Sequence, residues 1–141
     1  VESHRCDFRL GDLEHLPVPD GEVDAVVACM VLHHLSNPAR VLTEAYRALS
    51  SGGVIVVVDL HRHADESLRE RMADLWLGFL PEDIAGWLRS ASFQLVEAGK
   101  AVPEPDGSDN THGPDNTAAA QRVEQGEPEP LELITFKGQK P

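Results

Sequence analysis

Cysteine is scarce in this chain, and long apolar runs are absent from it. Its 141 residues include only two cysteines, Cys6 and Cys29, too few for a disulfide scaffold and typical of a reducing compartment. No apolar run approaches the roughly 18 residues that cross a bilayer, so we expect no membrane span. No basic-then-apolar leader is visible, so we expect no secretory signal. The sequence therefore predicts a cytoplasmic protein without a membrane partner.

Basic residues are also few. The chain has 12 Lys and Arg against 24 Asp and Glu, which gives a net charge of −12. A general nucleic-acid surface requires the opposite sign of charge, so we expect no direct nucleic-acid binding by this chain.

The composition predicts one domain that a polar segment interrupts. Residues 101–130 contain seven acidic residues against Arg122 alone, five of the ten prolines, and no aromatic residue. Such a segment buries too little apolar surface to offset the entropy of ordering it. We therefore expect a domain over 1–100, an acidic disordered insertion over 101–130, and a final strand with a tail over 131–141.

Apolar patterning predicts an α/β fold, because short valine-rich runs alternate with capped amphipathic stretches. Asn37-Pro38 begins a helix, and Gly52-Gly53 is predicted to end it. The predicted parallel strands are 6–10, 23–30 and 54–60; the predicted helices are 38–49, a stretch after Asp65 that ends near Gly78, and 81–91; and the predicted antiparallel pair is 93–98 with 131–137.

Three segments in this order resemble one enzyme family. Gly11–Val26 is similar to G-D-A-x-x-L-P-F-x-D-x-x-F-D-x-V, Met30–Leu35 to x-x-L-H-H-L, and Arg47–Gly53 to R-x-L-K-P-G-G. These motifs are typical of class I methyltransferases that use S-adenosylmethionine, and most similar to the menaquinone/ubiquinone-type C-methyltransferases of methyltransferase type 11. Residues 74–79 and 83–93 also resemble members fused behind a winged-helix repressor of the ArsR type.

The resemblance implies a Rossmann-like methyltransferase sheet that is incomplete. The family's glycine-rich cofactor loop and its first two strands have no counterpart here, so the resemblance covers a C-terminal part only. In the family's strand order, the strand at 23–30 would then present an unpaired edge.

The resemblance also implies positions that contact S-adenosylmethionine. Asp12 would accept the adenine amino group, Leu13 would lie against the purine, and Cys29 and Met30 would line the cofactor at the strand end. Asp12 could instead hold its own turn. Leu13, Cys29 and Met30 could instead be plain core or strand-end residues, and both cysteines are expected to behave as small buried apolar groups.

Two histidines follow the predicted strand at 23–30. His34 is our candidate catalytic residue, a base that removes a proton from an enol or phenol as it attacks the methyl group. The alternative is that one of His33 and His34 caps the helix while the other packs. His61-Arg62-His63 is more simply structural than a chelate, so no metal ligand is predicted. Trp76, Phe79 and Trp87 are expected in the core.

The predicted function is methyl transfer from S-adenosylmethionine to a small organic acceptor, by a chain that would be inactive alone. Two alternatives stay open: a non-catalytic interaction module, or the effector-sensing half of a transcriptional regulator. A second copy of the chain could supply the absent cofactor loop, so a homodimer is a possible partner.

Overall fold

The valine-rich run at 54–58 forms the middle of a sheet in the computed structural model, which describes residues 6–101 and 131–141. Ile55 and Val57 are fully buried there. The elements follow in this order: β1 (Val23–Cys29), a 3-10 turn (Leu32–His34), α1 (Pro38–Ala48), β2 (Leu49–Leu60), α2 (Ser67–Met72), α3 (Pro81–Ser90), β3 (Gln94–Ala101) and β4 (Leu133–Gln139).

The sheet is mixed, with the order β1-β2-β4-β3. β2 pairs with β1 in parallel and with β4 antiparallel, while β3 and β4 form the predicted antiparallel pair. Among the described residues, β1 has one strand neighbour and is an edge of the sheet. These findings confirm the predicted α/β class.

Helices α1 and α3 contact each other and the sheet, and they share one apolar cluster with it. The side chain of Asn37 accepts a hydrogen bond from Arg40 N at 3.2 Å, so the predicted cap is formed. The helix ends at Ala48, before the predicted Gly52-Gly53, because Leu49 is already extended and pairs with β1.

Two predicted elements are wrong. Residues 6–10 form no strand, and Phe8 and Leu10 are 94% and 102% exposed. Arg9 instead bonds Glu22 at 2.7 and 3.0 Å, which holds this segment beside the turn before β1. The long helix after Asp65 is only the six-residue α2, which buries no side chain.

The chain after α2 turns back along the end of β2, which explains the short helix. Ala73 has a left-handed backbone (φ +58°), and the following residues bond the backbone of 60–63. Phe79 is buried as expected, but it lies outside any helix. Trp76 keeps 36% of its surface exposed and contacts Phe79 and Trp87 edge-on or tilted.

In the described ranges, no helix is both long enough and apolar enough to pass through a bilayer. The predicted insertion falls almost wholly on residues 102–130, which lie outside the described residues. β3 ends at Ala101, and this residue pairs with Leu133 at the start of β4.

Candidate active site

A buried histidine–carboxylate pair lies where β1 and β2 end. His33 follows β1 and Asp59 is near the end of β2, so the parallel strands deliver both residues to one edge of the sheet. His33 Nδ1 is 2.6 Å from Asp59 Oδ1, and both residues are buried. Leu32 N and Leu60 N donate to the same carboxylate at 2.9 and 2.8 Å. Three donors around Asp59 therefore fix the orientation of the His33 ring.

His34 is the more accessible of the two imidazoles. Its side chain is 38% exposed against 5% for His33, and the two ring centroids are 4.1 Å apart. His34 Nδ1 lies 3.4 Å from Asp74 Oδ1, and His33 Nε2 lies 3.7 Å from the same oxygen. The predicted base thus stands at the surface of a histidine–carboxylate cluster made of His33, His34, Asp59 and Asp74.

Asp74 is buried at this cluster by the segment that follows α2. Leu75 N and Trp76 N both donate to His33 O at 3.0 Å, and Trp76 Nε1 donates to Leu35 O at 2.8 Å. Within the described ranges, Asp74 Oδ1 is buried without a hydrogen-bond partner. Leaving a buried polar group unsatisfied costs about 1–3 kcal/mol, and more when it is charged. Residues kept at such a cost often have a functional reason.

The two predicted adenine-side residues lie in an exposed turn. Asp12 Oδ1 accepts a hydrogen bond from Glu14 N at 2.8 Å, so Asp12 does hold its own turn. Its side chain is 68% exposed and Leu13 is 37% exposed. Glu14 in turn accepts from Ser36 Oγ at 3.5 Å, which places this turn beside the loop between the 3-10 turn and α1.

Cys29 and Met30 lie at the carboxyl end of β1, as predicted. Both cysteines are exposed, so the expectation that they are buried apolar groups is wrong; β1 is an edge strand and leaves its end uncovered. Met30 is 39% exposed and has a left-handed backbone (φ +52°), while its N donates to Val58 O at 2.8 Å. Strained backbone of this kind is frequent at functional sites.

A buried carboxylate attaches the segment before β1 to α1. Glu44 accepts hydrogen bonds from Leu16 N at 3.1 Å and from the Arg47 guanidinium at 3.0–3.2 Å. Arg47 also donates to Asp20 at 2.6 Å. The hydrogen bonds from Arg47, and then that from Leu16, hold the pKa of Glu44 below its ordinary value even though burial opposes the shift.

The histidines after β2 have structural partners instead. His63 Nδ1 accepts from Asp65 N at 3.2 Å, and His61 Nδ1 lies 3.4 Å from Glu132 Oε2.

A shallow cavity of about 600 Å³ lies between the end of α1 and the start of β2, among residues that include Arg47 and Lys140. It is at the opposite end of β2 from the histidine cluster, and Lys140 there bonds the carbonyls of Tyr46 and Leu49.

Sequence reasoning did not identify Asp59 or Asp74. The sequence did contain a signal for Asp59, because this residue lies near the end of a buried strand that is parallel to the strand before His33. Asp74 had none, since its position depends on the left-handed turn at Ala73. No metal ligand was predicted, yet His33, His34 and Asp74 each bring one possible ligand atom within 4.8 Å of the others.

Comparison with known proteins finds similarity to methyltransferases over part of the chain. The methyltransferase domain family matches residues 1–57. The chain is 45% identical over 53 residues to a protein of Mycolicibacterium smegmatis described as a probable S-adenosylmethionine-dependent methyltransferase, which covers 38% of this chain and 21% of that protein. It is 32% identical over 105 residues to the ubiquinone/menaquinone biosynthesis C-methyltransferase of Methylobacterium nodulans, which covers 72% of this chain and 41% of that enzyme.

Solved structures show the same fold. The [4+2]-cyclase SpnF superimposes with a TM-score of 0.69 over 99% of this chain and 57% of its own, at 23% identity. The chain spans between 21% and 41% of the length of the first curated relatives that it matches. Together the matches show that the chain is similar to class I methyltransferases, whose cofactor is S-adenosylmethionine.

The residues present suit one end of that cofactor. An exposed carboxylate at Asp12 can accept from an amino group, and the exposed apolar surfaces of Leu13 and Met30 can contact a flat ring. Across 6–101 and 131–141, no glycine-rich loop is present to hold the methionine end. Contacts of Asp12, Leu13, Cys29 and Met30 with the adenine end and with the wall beside it stay a prediction.

Proposed function

We propose that this chain is the C-terminal part of an enzyme that methylates a small organic acceptor. The observation that carries this proposal is the histidine–carboxylate cluster at the carboxyl ends of β1 and β2, directly after Cys29 and Met30. In open α/β sheets, ligands bind outside the carboxyl ends of the strands. The family match covers residues 1–57, a range that includes Asp12, Leu13, Cys29, Met30 and His34.

S-Adenosylmethionine, when bound, supplies an electrophilic methyl group on a sulfonium. The chain's own part begins with orientation, because a displacement at a methyl group needs alignment above all. Asp12 and Leu13 would hold the adenine, while Cys29 and Met30 would form the wall beside it. The Glu44 carboxylate supports this arrangement by fixing Leu16, four residues after Asp12.

His34 is proposed as the base that takes a proton from the acceptor. It is the exposed imidazole of the pair, and the carboxylate of Asp74 lies 3.4 Å from its Nδ1. That carboxylate stabilises the imidazolium formed when Nε2 takes a proton. His33 and Asp59 are positioning residues, since their buried bond fixes the turn that carries His34. An acceptor with an enol or phenol hydroxyl would need such a base.

The second candidate is a binding module without catalysis. Residues 6–101 and 131–141 contain no glycine-rich loop for the methionine end of the cofactor, and β1 leaves Val27 69% exposed. A cyclase among the similar structures also shows that this fold is not restricted to proteins named methyltransferases. A regulator that senses an effector belongs to this class and would bind a ligand at the same strand ends.

Titration of the 141-residue chain with S-adenosylmethionine, followed by amide NMR spectra, tests the proposal. One or two hydrogen bonds and partial stacking contribute a few kcal/mol, which the entropy of association largely offsets. We therefore expect affinity no tighter than about millimolar, no turnover, and shifts confined to residues 12–16 and 28–34. In a longer chain that also supplies the family's first two strands and glycine-rich loop, binding should be restored, and Asp12→Ala should weaken it about tenfold.

Asp65→Ala is the matched control, because Asp65 Oδ1 accepts from Ser67 N two residues on, just as Asp12 does from Glu14 N. It removes the same kind of turn bond at a position without a proposed role in binding. Shifts at the cavity near Arg47 and Lys140, or equal losses in both variants, would contradict the assignment of the adenine site. Micromolar affinity would show that the chain holds the whole cofactor.

A further inference from the structure

The histidine–carboxylate cluster also has the composition of a metal site. We propose that His33, His34 and Asp74 bind one divalent transition-metal ion of the zinc class. One ligand atom from each residue lies within 4.8 Å of the other two. Two imidazoles and one carboxylate are a donor set that proteins use for zinc and for similar ions. A bound ion would occupy the His34 Nδ1 and the Asp74 carboxylate that the proposed base uses, so ion binding and the base role are alternative states of one cluster.

The measured separations suit a single ion. The Oδ1 atom of Asp74 is 3.4 Å from His34 Nδ1 and 3.7 Å from His33 Nε2. Ligand atoms about 2.0–2.1 Å from a tetrahedral zinc are about 3.3 Å apart. His34 is 38% exposed and can rotate, so a small ring movement brings all three atoms into range.

The geometry around His33 directs its outer nitrogen to Asp74. His33 Nδ1 lies 2.6 Å from Asp59 Oδ1, and Asp59 also accepts from Leu32 N and Leu60 N. His33 Nε2 lies 3.7 Å from Asp74 Oδ1, which has no hydrogen-bond partner in the described ranges. A cation between these two atoms would bind both. A carboxylate behind a ligating histidine is also the usual outer partner in metal sites.

Asp74 provides an independent observation. Its Oδ1 is buried and has no hydrogen-bond partner within residues 6–101 and 131–141, although it points at the two imidazoles. The backbone bonds from Leu75 and Trp76 to His33 O hold the carboxylate at this place. The three ligands are thus organised in advance, and exposed His34 gives an ion access from solvent. A fourth position is left for water or an oxygen ligand.

Calorimetric titration of the chelator-treated 141-residue chain with Zn²⁺ tests the proposal. We expect one ion per chain with micromolar or tighter affinity. Asp59→Asn changes the outer partner of His33, together with the acceptor of Leu32 N and Leu60 N, and should weaken binding about 10- to 100-fold. Asp74→Asn and His34→Gln remove a ligand and should weaken it at least as much. His15→Gln, at an exposed histidine 3.8 Å from Asp12, should leave binding unchanged.

Circular dichroism checks that each variant folds. His34→Gln is the variant that should disturb the fold least, because His34 is partly exposed. Co²⁺ in place of Zn²⁺ gives a second readout, since its visible absorption reports bound ligands and should be lost in His34→Gln. Millimolar binding, or binding that is unchanged in both Asp74→Asn and His34→Gln, would overturn the proposal. Because these measurements contain no S-adenosylmethionine, failure here leaves the proposed function standing, and the reverse also holds.

Discussion

At the scale of single residues, the Asp59 carboxylate is the centre of the candidate site. It collects two backbone donors and one imidazole donor at 2.6–2.9 Å in a fully buried position. A buried carboxylate is tolerated when its oxygens are satisfied in this way. The result is a fixed His33 ring and a fixed turn for His34.

Position 78 requires glycine, because a side chain there would be strained and would clash with neighbouring backbone. Its backbone has φ +71°, and a Cβ there would collide with His61 O and lie 2.8 Å from Leu60 O. Both are backbone atoms of the paired end of β2, so they cannot move aside. We expect Gly78→Ala to lower the free energy of unfolding by about 2–4 kcal/mol, from the left-handed conformation plus overpacking. Urea denaturation measures this loss.

Gly52 is the matched control for Gly78. Its φ of +79° is similar, but nothing lies within 4 Å of a Cβ added there. Gly52→Ala should therefore cost only the conformational share, about 1–2 kcal/mol. Equal losses at the two glycines would show that steric contact with the end of β2 is unimportant.

At the scale of elements, Glu44 joins α1 to the segment that carries Asp12 and Leu13. Arg47, one turn along α1, completes the link through Leu16 O and Asp20. Because the Arg47 hydrogen bonds hold the pKa of Glu44 below its ordinary value, ionised Glu44 is favoured in the folded state. The link therefore contributes stability wherever Glu44 is ionised.

Acid should weaken this link in a defined window. Because the pKa of Glu44 is lower in the folded state, its stabilising contribution is fully present above the unfolded-state pKa, about 4.3. That contribution is lost as pH falls through the folded-state pKa. We expect Glu44→Gln to be about 1–3 kcal/mol less stable than the wild type at pH 7, with the difference shrinking below about pH 4.3. Urea midpoints across this range measure it. Glu70→Gln, at an exposed carboxylate of α2, is the control and should change stability at pH 7 by less than about 0.5 kcal/mol.

At the scale of the whole molecule, the two edges of the sheet differ. On β1, Val27 is 69% exposed. On β3, Val96 is 54% exposed, but the register with β4 shifts between Leu95 and Glu97. β1 also shifts register, between Val23 and Ala25, but it pairs regularly with β2 from Ala25 to Cys29, on both sides of Val27. An irregular segment is a poor template for pairing, whereas a regular apolar edge invites it.

We therefore expect the 141-residue chain to self-associate through β1. Val27→Lys should reduce concentration-dependent association in sedimentation velocity and change stability by less than about 0.5 kcal/mol, because the side chain is exposed. Val96→Lys adds the same charge to the other edge and should leave association unchanged. A wild type that stays monomeric, or equal effects of both lysines, would contradict the role of β1.

Much of the fold was predictable because local patterns agreed with it. Valine-rich runs gave β1 and the core of β2, and the Asn37-Pro38 start gave α1. The predicted strand at 6–10 is wrong because an alternating pattern does not supply a partner strand to pair with. Arg9 instead forms a hydrogen-bonded ion pair with Glu22. The predicted long helix failed because apolar spacing did not reveal the left-handed turn at Ala73.

The sequence by itself determined the α/β class, the strand ends and the candidate positions Asp12, Leu13, Cys29, Met30 and His34, because these depend on local spacing and motif order. Whether those five residues act in binding or catalysis stays a prediction. Tertiary structure alone decided the meeting of His33 with Asp59 and of His34 with Asp74. Those contacts join residues 26 and 40 positions apart, and only strand pairing and the returning segment after α2 bring them together.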